Sequence, residues 1–96
     1  TPDYKEIGNY VNDEPDSLWR SYYLPSKKRY FEGRFVAGVP EGIHQAWHYT
    51  GAKMYVGNYV GGMRDGDWKF YDENDYNYLT ITYKNDIEIK WQGEKI

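Results

Sequence analysis

The sequence contains no cysteine, and leucine and methionine are scarce in its 96 residues. Without cysteine, neither a disulfide framework nor a thiolate metal site can form. No apolar run approaches the roughly 20 residues that a helix needs to span a bilayer. The net charge is −3 and the pI is about 5.3, so the chain lacks the basic excess that favours nucleic acid or anionic lipid. We therefore expect no nucleic-acid partner, and the charge disfavours a membrane lipid.

What the chain has instead is aromatic residues and glycine. It contains 12 tyrosines, 4 tryptophans, 3 phenylalanines and 10 glycines. Aromatic residues favour strands, and glycine, asparagine and aspartate favour the turns between them. No segment keeps a helical period over two turns. The sequence therefore predicts one all-β domain, a single-layer antiparallel meander of about seven or eight strands.

A period of 24 residues runs through the middle of the chain. It relates Gly33 to Gly57, and it also relates the rings on either side of these glycines. A fixed period of this size is typical of a small unit that stacks on copies of itself. The positions that define the unit are Trp19, Phe31, Gly33, Phe35, Gly38, Gly42, Tyr55, Gly57, Tyr59, Gly62, Gly66, Trp68 and Tyr83.

The two ends of the chain carry weaker copies. Residues 8–11 are identical in sequence to residues 57–60. The residues after them match the second copy with a spacing of 25 residues instead of 24, as Trp19 matches His44. The extra residue is expected in a hairpin loop near residues 24–27, because loops tolerate insertions. Residues 79–86 have lost the glycines, as expected of a terminal unit. We divide the domain, residues 1–96, into copies at roughly 4–17, 18–42, 43–66 and 67–96.

Strand alternation places residues 31, 33 and 35 on one face of the sheet. A glycine between two rings leaves room for a bulky ring from the neighbouring strand. Ala37-Gly38, Gly61-Gly62 and Asn85-Asp86 occupy equivalent turns that need positive φ. The predicted strands are 4–11, 18–23, 29–36, 43–49, 53–60, 67–72, 78–84 and 87–92.

The pattern Tyr/Phe-x-Gly-x-Tyr/Phe-x-x-Gly-x-x-x-Gly at residues 31–42 and 55–66 resembles the MORN repeat. Gly66-Asp67-Trp68-Lys69-Phe70-Tyr71 resembles the extension seen in the bacterial YwqK-like antitoxin variant. The resemblance implies a bacterial origin and an elongated single sheet of hairpins. It also implies binding or scaffolding of protein partners, with lipid binding in some members.

His44 and His48 are four residues apart, a spacing that suits a metal ion on a helix. In a strand they would share a face but stand about 13 Å apart, too far to share one metal. We interpret them as polar rings beside the aromatic stripe, and we predict no metal site and no cofactor.

The charged clusters have simple structural interpretations. Residues 72–75 lack the central glycine and the glutamate of a calcium-binding loop, so they read as an acidic turn. Residues 13–16 are predicted to form a solvated linker between hairpins. Residues 26–29 form a small basic hairpin tip, for which a phosphate or acidic contact is the alternative to a solvated loop. No catalytic constellation stands out, and the sequence predicts that the chain is not an enzyme.

A one-layer sheet cannot cover both of its faces, so some rings must meet solvent or a partner. Exposed tyrosine and tryptophan are preferred anchors at interfaces. We expect a protein-interaction or scaffolding module that uses exposed rings or its open edges, alone or as a homo-oligomer. The alternative is carbohydrate or small-ligand binding on exposed rings. The candidate partner-binding residues are Tyr22, Tyr23, Trp47, Tyr49, Tyr71 and Tyr78.

The chain begins with Thr1-Pro2 rather than methionine. This start predicts a mature or excised fragment, and a removed leader peptide stays open as an explanation. The sequence therefore does not assign a compartment. The protein is cytoplasmic, or it is periplasmic or secreted if a leader was removed.

Overall fold

The structure is a computed structural model that describes residues 3–93. The described chain forms one sheet of eight antiparallel strands in the order β1 to β8. This confirms the predicted all-β meander. The strands are β1 Asp3–Val11, β2 Glu14–Leu24, β3 Arg29–Val36, β4 Val39–Trp47, β5 Lys53–Val60, β6 Met63–Tyr71, β7 Asn77–Lys84 and β8 Ile87–Gly93.

Four two-residue turns close the hairpins at one end of the sheet. They consist of Asn12-Asp13, Ala37-Gly38, Gly61-Gly62 and Asn85-Asp86. Both residues of each turn have positive φ, as a type I′ turn requires. This conformation follows the right-handed twist of the flanking strands, so each pair of strands begins directly at the turn. The positive φ predicted for the last three turns is confirmed.

The predicted starts of β2, β4 and β6 are wrong by four residues. They begin at Glu14, Val39 and Met63, straight after the turns, instead of at 18, 43 and 67. The solvated linker predicted at residues 13–16 is also wrong, because Asp13 completes a turn and residues 14–16 pair with β1.

The physical reason is a bulge inside each of these strands. Ser17, Gly42 and Gly66 have φ values of 63°, 79° and 75°. They occupy equivalent positions of β2, β4 and β6, where the pairing register shifts. A left-handed residue at a bulge keeps the strand paired on both sides of it. Gly42 and Gly66, which precede the predicted strand starts at 43 and 67, therefore lie within β4 and β6.

Longer loops close the chain at the opposite end of the sheet, at residues 25–28, 48–52 and 72–76. Six residues separate Tyr22 from its partner Arg29, whereas five separate Trp47 from Lys53. The extra residue of the first copy thus lies in the loop, as predicted. The third loop is the predicted acidic turn, and the Asp72 carboxylate accepts hydrogen bonds from the backbone N–H groups of residues 74 and 76.

The buried side chains lie along the middle of the sheet, most of them on its glycine-containing face. The described chain measures 37 × 32 × 16 Å, the dimensions of a single layer. The buried side chains are Trp19, Ser21, His44, Ala46, Trp47, Trp68, Ile81 and Tyr83. Because no second layer covers this face in residues 3–93, large rings must bury one another.

Candidate functional site

A ring lies over a glycine in each of the first three hairpins. Trp19 covers Gly8, His44 covers Gly33, and Trp68 covers Gly57. A Cβ atom added to any of the three glycines would overlap the ring above it. The prediction that Gly33 and Gly57 leave room for a neighbouring ring is therefore confirmed, and Gly8 has the same arrangement.

A hydrogen bond fixes each ring in place. The Nε1–H group of Trp19 donates to the carbonyl of Asn9, and that of Trp68 donates to the carbonyl of Asn58, both at 3.1 Å. The Nε2 atom of His44 lies 2.8 Å from the carbonyl of Arg34. A carbonyl only accepts, so His44 donates from Nε2 and substitutes for a tryptophan N–H. Burial lowers the pKa of His44, which keeps this ring neutral.

Ring contacts connect one hairpin to the next across this face. Within hairpins, Tyr10 meets Trp19 and Tyr59 meets Trp68 edge to face, with centroids 5.0 Å apart. Between hairpins, His44 contacts Tyr59 at 4.8 Å. Trp68 contacts Tyr83 in the same manner at 6.2 Å. The array is therefore held together by aromatic contacts that repeat with the period of the sequence.

The second histidine belongs to a different contact. His48 was predicted within a strand, but β4 ends at Trp47 and His48 begins the following loop. The chain turns here because the N–H of Gly51 donates to the His48 carbonyl. The His48 ring binds the Tyr71 carbonyl at 2.8 Å. Among residues 3–93, no group of three or more metal-ligating side chains is placed to hold an ion.

The six candidate partner-binding residues differ in accessibility. Tyr49 is exposed, with 45% of its surface accessible, and Trp47 is buried at 5%. The other four, Tyr22, Tyr23, Tyr71 and Tyr78, are partly buried. Trp47 lies under the guanidinium of Arg29, whose Cζ atom is 4.3 Å from the ring centroid. Of the six, Tyr49 is therefore the side chain most available to a partner.

Tyr23 and Tyr49 belong to a ladder of four tyrosines near the long loops. Successive centroids from Tyr4 to Tyr30, Tyr30 to Tyr23, and Tyr23 to Tyr49 are 5.0–5.5 Å apart. The Tyr23 hydroxyl donates to the Trp47 carbonyl at 2.9 Å. Burial, followed by the neighbouring Tyr30, raises the pKa of Tyr23. The basic loop touches this ladder, since Lys28 Nζ lies 5.5 Å from the Tyr49 centroid.

A row of exposed aliphatic side chains lies beside the two-residue turns. Val36 pairs with Val39 and Val60 pairs with Met63, and all four are exposed. The turns of neighbouring hairpins lie close together. A Cβ atom added to Gly62 in one turn would come 2.7 Å from Val39 Cγ1 beside the preceding turn. Sequence reasoning missed this row because it searched for rings. The signal was an aliphatic residue on each side of Ala37-Gly38 and of Gly61-Gly62.

The outermost strands, β1 and β8, each have one edge without a neighbouring strand in residues 3–93. All seven residues of β8 are exposed. Trp91 lies opposite Ile81, just as His44 lies opposite Gly33. Trp91 is thus the fourth ring of the series, and sequence reasoning missed it because it follows Trp68 by 23 residues instead of 24. The missing residue corresponds to the left-handed bulge position.

An ion pair links the last two hairpins at their turns. Arg64 Nε lies 2.6 Å from Asp86 Oδ1, and the Arg64 guanidinium stacks 4.3 Å from the Tyr83 centroid. Hydrogen bonds from Arg64 lower the pKa of Asp86. A backbone hydrogen bond accompanies this ion pair, since the Asp86 N–H donates to the Arg64 carbonyl. The equivalent backbone hydrogen bond joins the first two hairpins, where the Gly38 N–H donates to the Pro15 carbonyl. The turns therefore fasten successive hairpins together.

Comparisons of the chain with protein-family models, curated proteins and solved structures found no match. The described residues contain no helix of the length and apolar character that crossing a bilayer requires.

Proposed function

We propose that this chain is a protein-interaction module that acts by binding rather than by catalysis. The observation that carries this proposal is the pair of outermost strands, β1 and β8, whose outer edges have no neighbouring strand within residues 3–93. An open edge presents backbone N–H and C=O groups that can pair with a strand from another chain.

Exposed apolar side chains accompany both edges. Ile7 and Tyr10 are exposed on β1, and Ile87 and Ile89 are exposed on β8. A partner strand would gain backbone hydrogen bonds from the edge and apolar contacts from these side chains. The exposed valine and methionine row beside the turns lies on β3 to β6 and is a separate apolar surface that a partner could contact.

Membership in the MORN-repeat group belongs to the same proposal. It is supported by the glycine that makes room for a ring and by the turn that follows, both of which fall on the motif positions of residues 31–42 and 55–66. The protein-binding and scaffolding roles that this resemblance implies agree with an open sheet.

Capture followed by measurement tests the interaction. The immobilised chain is used to isolate proteins from a cell lysate, and one captured protein is purified and titrated by calorimetry. Replacing Ile89 with proline removes a backbone donor from β8 and should weaken binding at that edge. Tyr76→Lys, a change of an exposed side chain in the loop before β7, serves as the control. A chain that binds no protein saturably and stays monomeric would overturn the proposal.

Carbohydrate binding is the second candidate, and the tyrosine ladder favours it. Tyr4 and Tyr49 are exposed at its two ends, and tyrosine rings can cover the apolar face of a sugar. Successive rings are tilted by 47–76°, however, so they do not form one flat platform. A glycan array with Tyr49→Ala as the matched variant tests this candidate. Absence of saturable binding to every glycan would remove it.

A further inference from the structure

We infer that copies of this chain join head to tail, with β8 of one copy pairing with β1 of the next in the antiparallel register that places Trp91 opposite Gly8. This inference rests on the proposed binding function and names the partner as a second copy. An even number of strands allows it, because the β1 strand of the following copy then runs antiparallel to β8.

The contacts between hairpins within one chain provide the template. The same pairing joins β2 to β3, β4 to β5 and β6 to β7. At each junction the central ring of the first strand lies opposite one residue of the second. Trp19 faces Gly33, His44 faces Gly57, and Trp68 faces Ile81. The chain therefore contains three examples of one interface.

The two ends of the sheet carry the two halves of a fourth example. β8 presents Trp91 at the position of the central ring. β1 presents Gly8 at the position of Gly33 and Gly57, in a segment identical in sequence to residues 57–60. Continuing the register of β2 and β3 would place Trp91 opposite Gly8 of the next copy.

Exposure shows what this junction would cover. Tyr83, which a preceding hairpin covers, is 8% exposed, and Tyr10, at the equivalent position of β1, is 66% exposed. Trp91 is 46% exposed, whereas Trp68 is 5% exposed. In the joined form Tyr10 would meet Trp91 as Tyr83 meets Trp68. Burying two aromatic side chains in this way favours association.

The register also avoids like charges. It would set Lys90 opposite Asn9, Gln92 opposite Ile7 and Gly93 opposite Glu6, by analogy with the pairs that join β2 to β3. Like charges directly opposite each other would destabilise the pairing, and none occurs among these pairs.

Disulfide trapping tests the register, because the chain has no cysteine of its own. Lys90→Cys protein is mixed with Asn9→Cys protein and oxidised gently. The expected product is the mixed dimer, formed in excess over either homodimer. Lys69→Cys, which lies on β6 away from both edges, replaces Lys90→Cys in the control mixture. A mixed-dimer yield no higher than in the control overturns the inference, as does an excess of either homodimer.

Sedimentation over a range of concentrations tests the contact without cross-linking. The wild-type chain should associate reversibly, and Tyr10→Lys should raise the apparent Kd by about tenfold or more by placing a charge in the junction. Tyr76→Lys, equally exposed but in a loop, should associate like the wild type. A wild type that stays monomeric, or a Tyr10→Lys variant that associates normally, overturns the inference.

The two proposals can fail separately. A chain that binds another protein through β8 but shows no Lys90–Asn9 cross-link retains the interaction function and loses the head-to-tail assembly. A monomer that binds no protein loses both.

Discussion

The indole of Trp68 occupies the space above Gly57 in which any other residue would place its side chain. Gly57 has ordinary strand geometry and is not among the positive-φ glycines. Its requirement for glycine is therefore steric. Gly66 is the opposite case, because an added Cβ would meet nothing within 4 Å but its φ is 75°. The motif thus uses glycine for two different physical reasons.

A double-mutant cycle tests the steric requirement. Gly57→Ala should lower the free energy of unfolding by about 1–3 kcal/mol, because the indole must move out of its place. In a Trp68→Ala background the same change should be neutral or stabilising, because alanine restricts the unfolded chain more than glycine does. Urea denaturation of the four proteins measures the coupling. An equal cost in both backgrounds would show that Trp68 is not the cause.

The pH dependence of stability tests the role of His44. Its folded pKa is lowered by burial, so the unfolded state binds a proton more readily than the folded state. Stability should be fully present above the unfolded pKa of about 6.5 and should fall as the pH drops towards the folded pKa. His44→Trp should fold, because tryptophan fills the equivalent position in two hairpins, and it should lose this part of the dependence.

Thermal unfolding at pH 5 and pH 7.5 measures the effect, with His48→Gln as the control for general histidine titration. The His44→Trp protein should change its Tm less than the wild type between these two pH values. Equal changes in the two proteins would contradict the assignment.

Ser17 holds a left-handed conformation that glycine holds in the next two copies. A left-handed L-residue costs about 1–2 kcal/mol, and glycine loses roughly 0.5–1 kcal/mol more backbone entropy on folding. Ser17→Gly should therefore stabilise the protein slightly, by about 0.5 kcal/mol, and Gly66→Ala should destabilise it. Chemical denaturation of both variants checks the two signs. A stabilising Gly66→Ala would be inconsistent with the bulge conformation.

The hydrogen bond from Tyr23 to the Trp47 carbonyl links the first hairpin to the second. Tyr23→Phe should cost about 0.5–1.5 kcal/mol of stability, because the partly buried carbonyl loses a donor. Tyr76→Phe removes a hydroxyl from an exposed loop and should have little effect. Denaturant midpoints of the two variants give the comparison, and equal midpoints would argue against the bond.

Much of the fold could be predicted because the repeat constrains it. Gly33 and Gly57, flanked by rings at a fixed period, predicted the strands, the face that carries the rings and the space for a neighbouring ring. The starts of β2, β4 and β6 could not be predicted in the same way. A glycine such as Gly42 is read locally as a loop, and only the register with the adjacent strand shows that it is a bulge.

The candidate surface was less predictable than the fold. The sequence predicted that some of six rings would meet solvent or a partner, but it did not distinguish among them. Tyr49 is exposed, whereas Trp47 is covered by Arg29. Trp91 escaped detection because a one-residue deletion moved it out of the period. Exposure depends on which side chain from another strand lies above a ring, and alternation along one strand does not contain that information.

By itself, the sequence determined that this chain is a periodic array of hairpins, because the spacing of rings, glycines and turn residues acts locally on backbone conformation. Only the tertiary structure decided which rings are covered by a neighbouring strand. Those properties arise from contacts between strands: a ring is buried when a neighbouring hairpin packs against it. Tyr10 and β8 are exposed because, within residues 3–93, no strand lies beyond β1 or beyond β8.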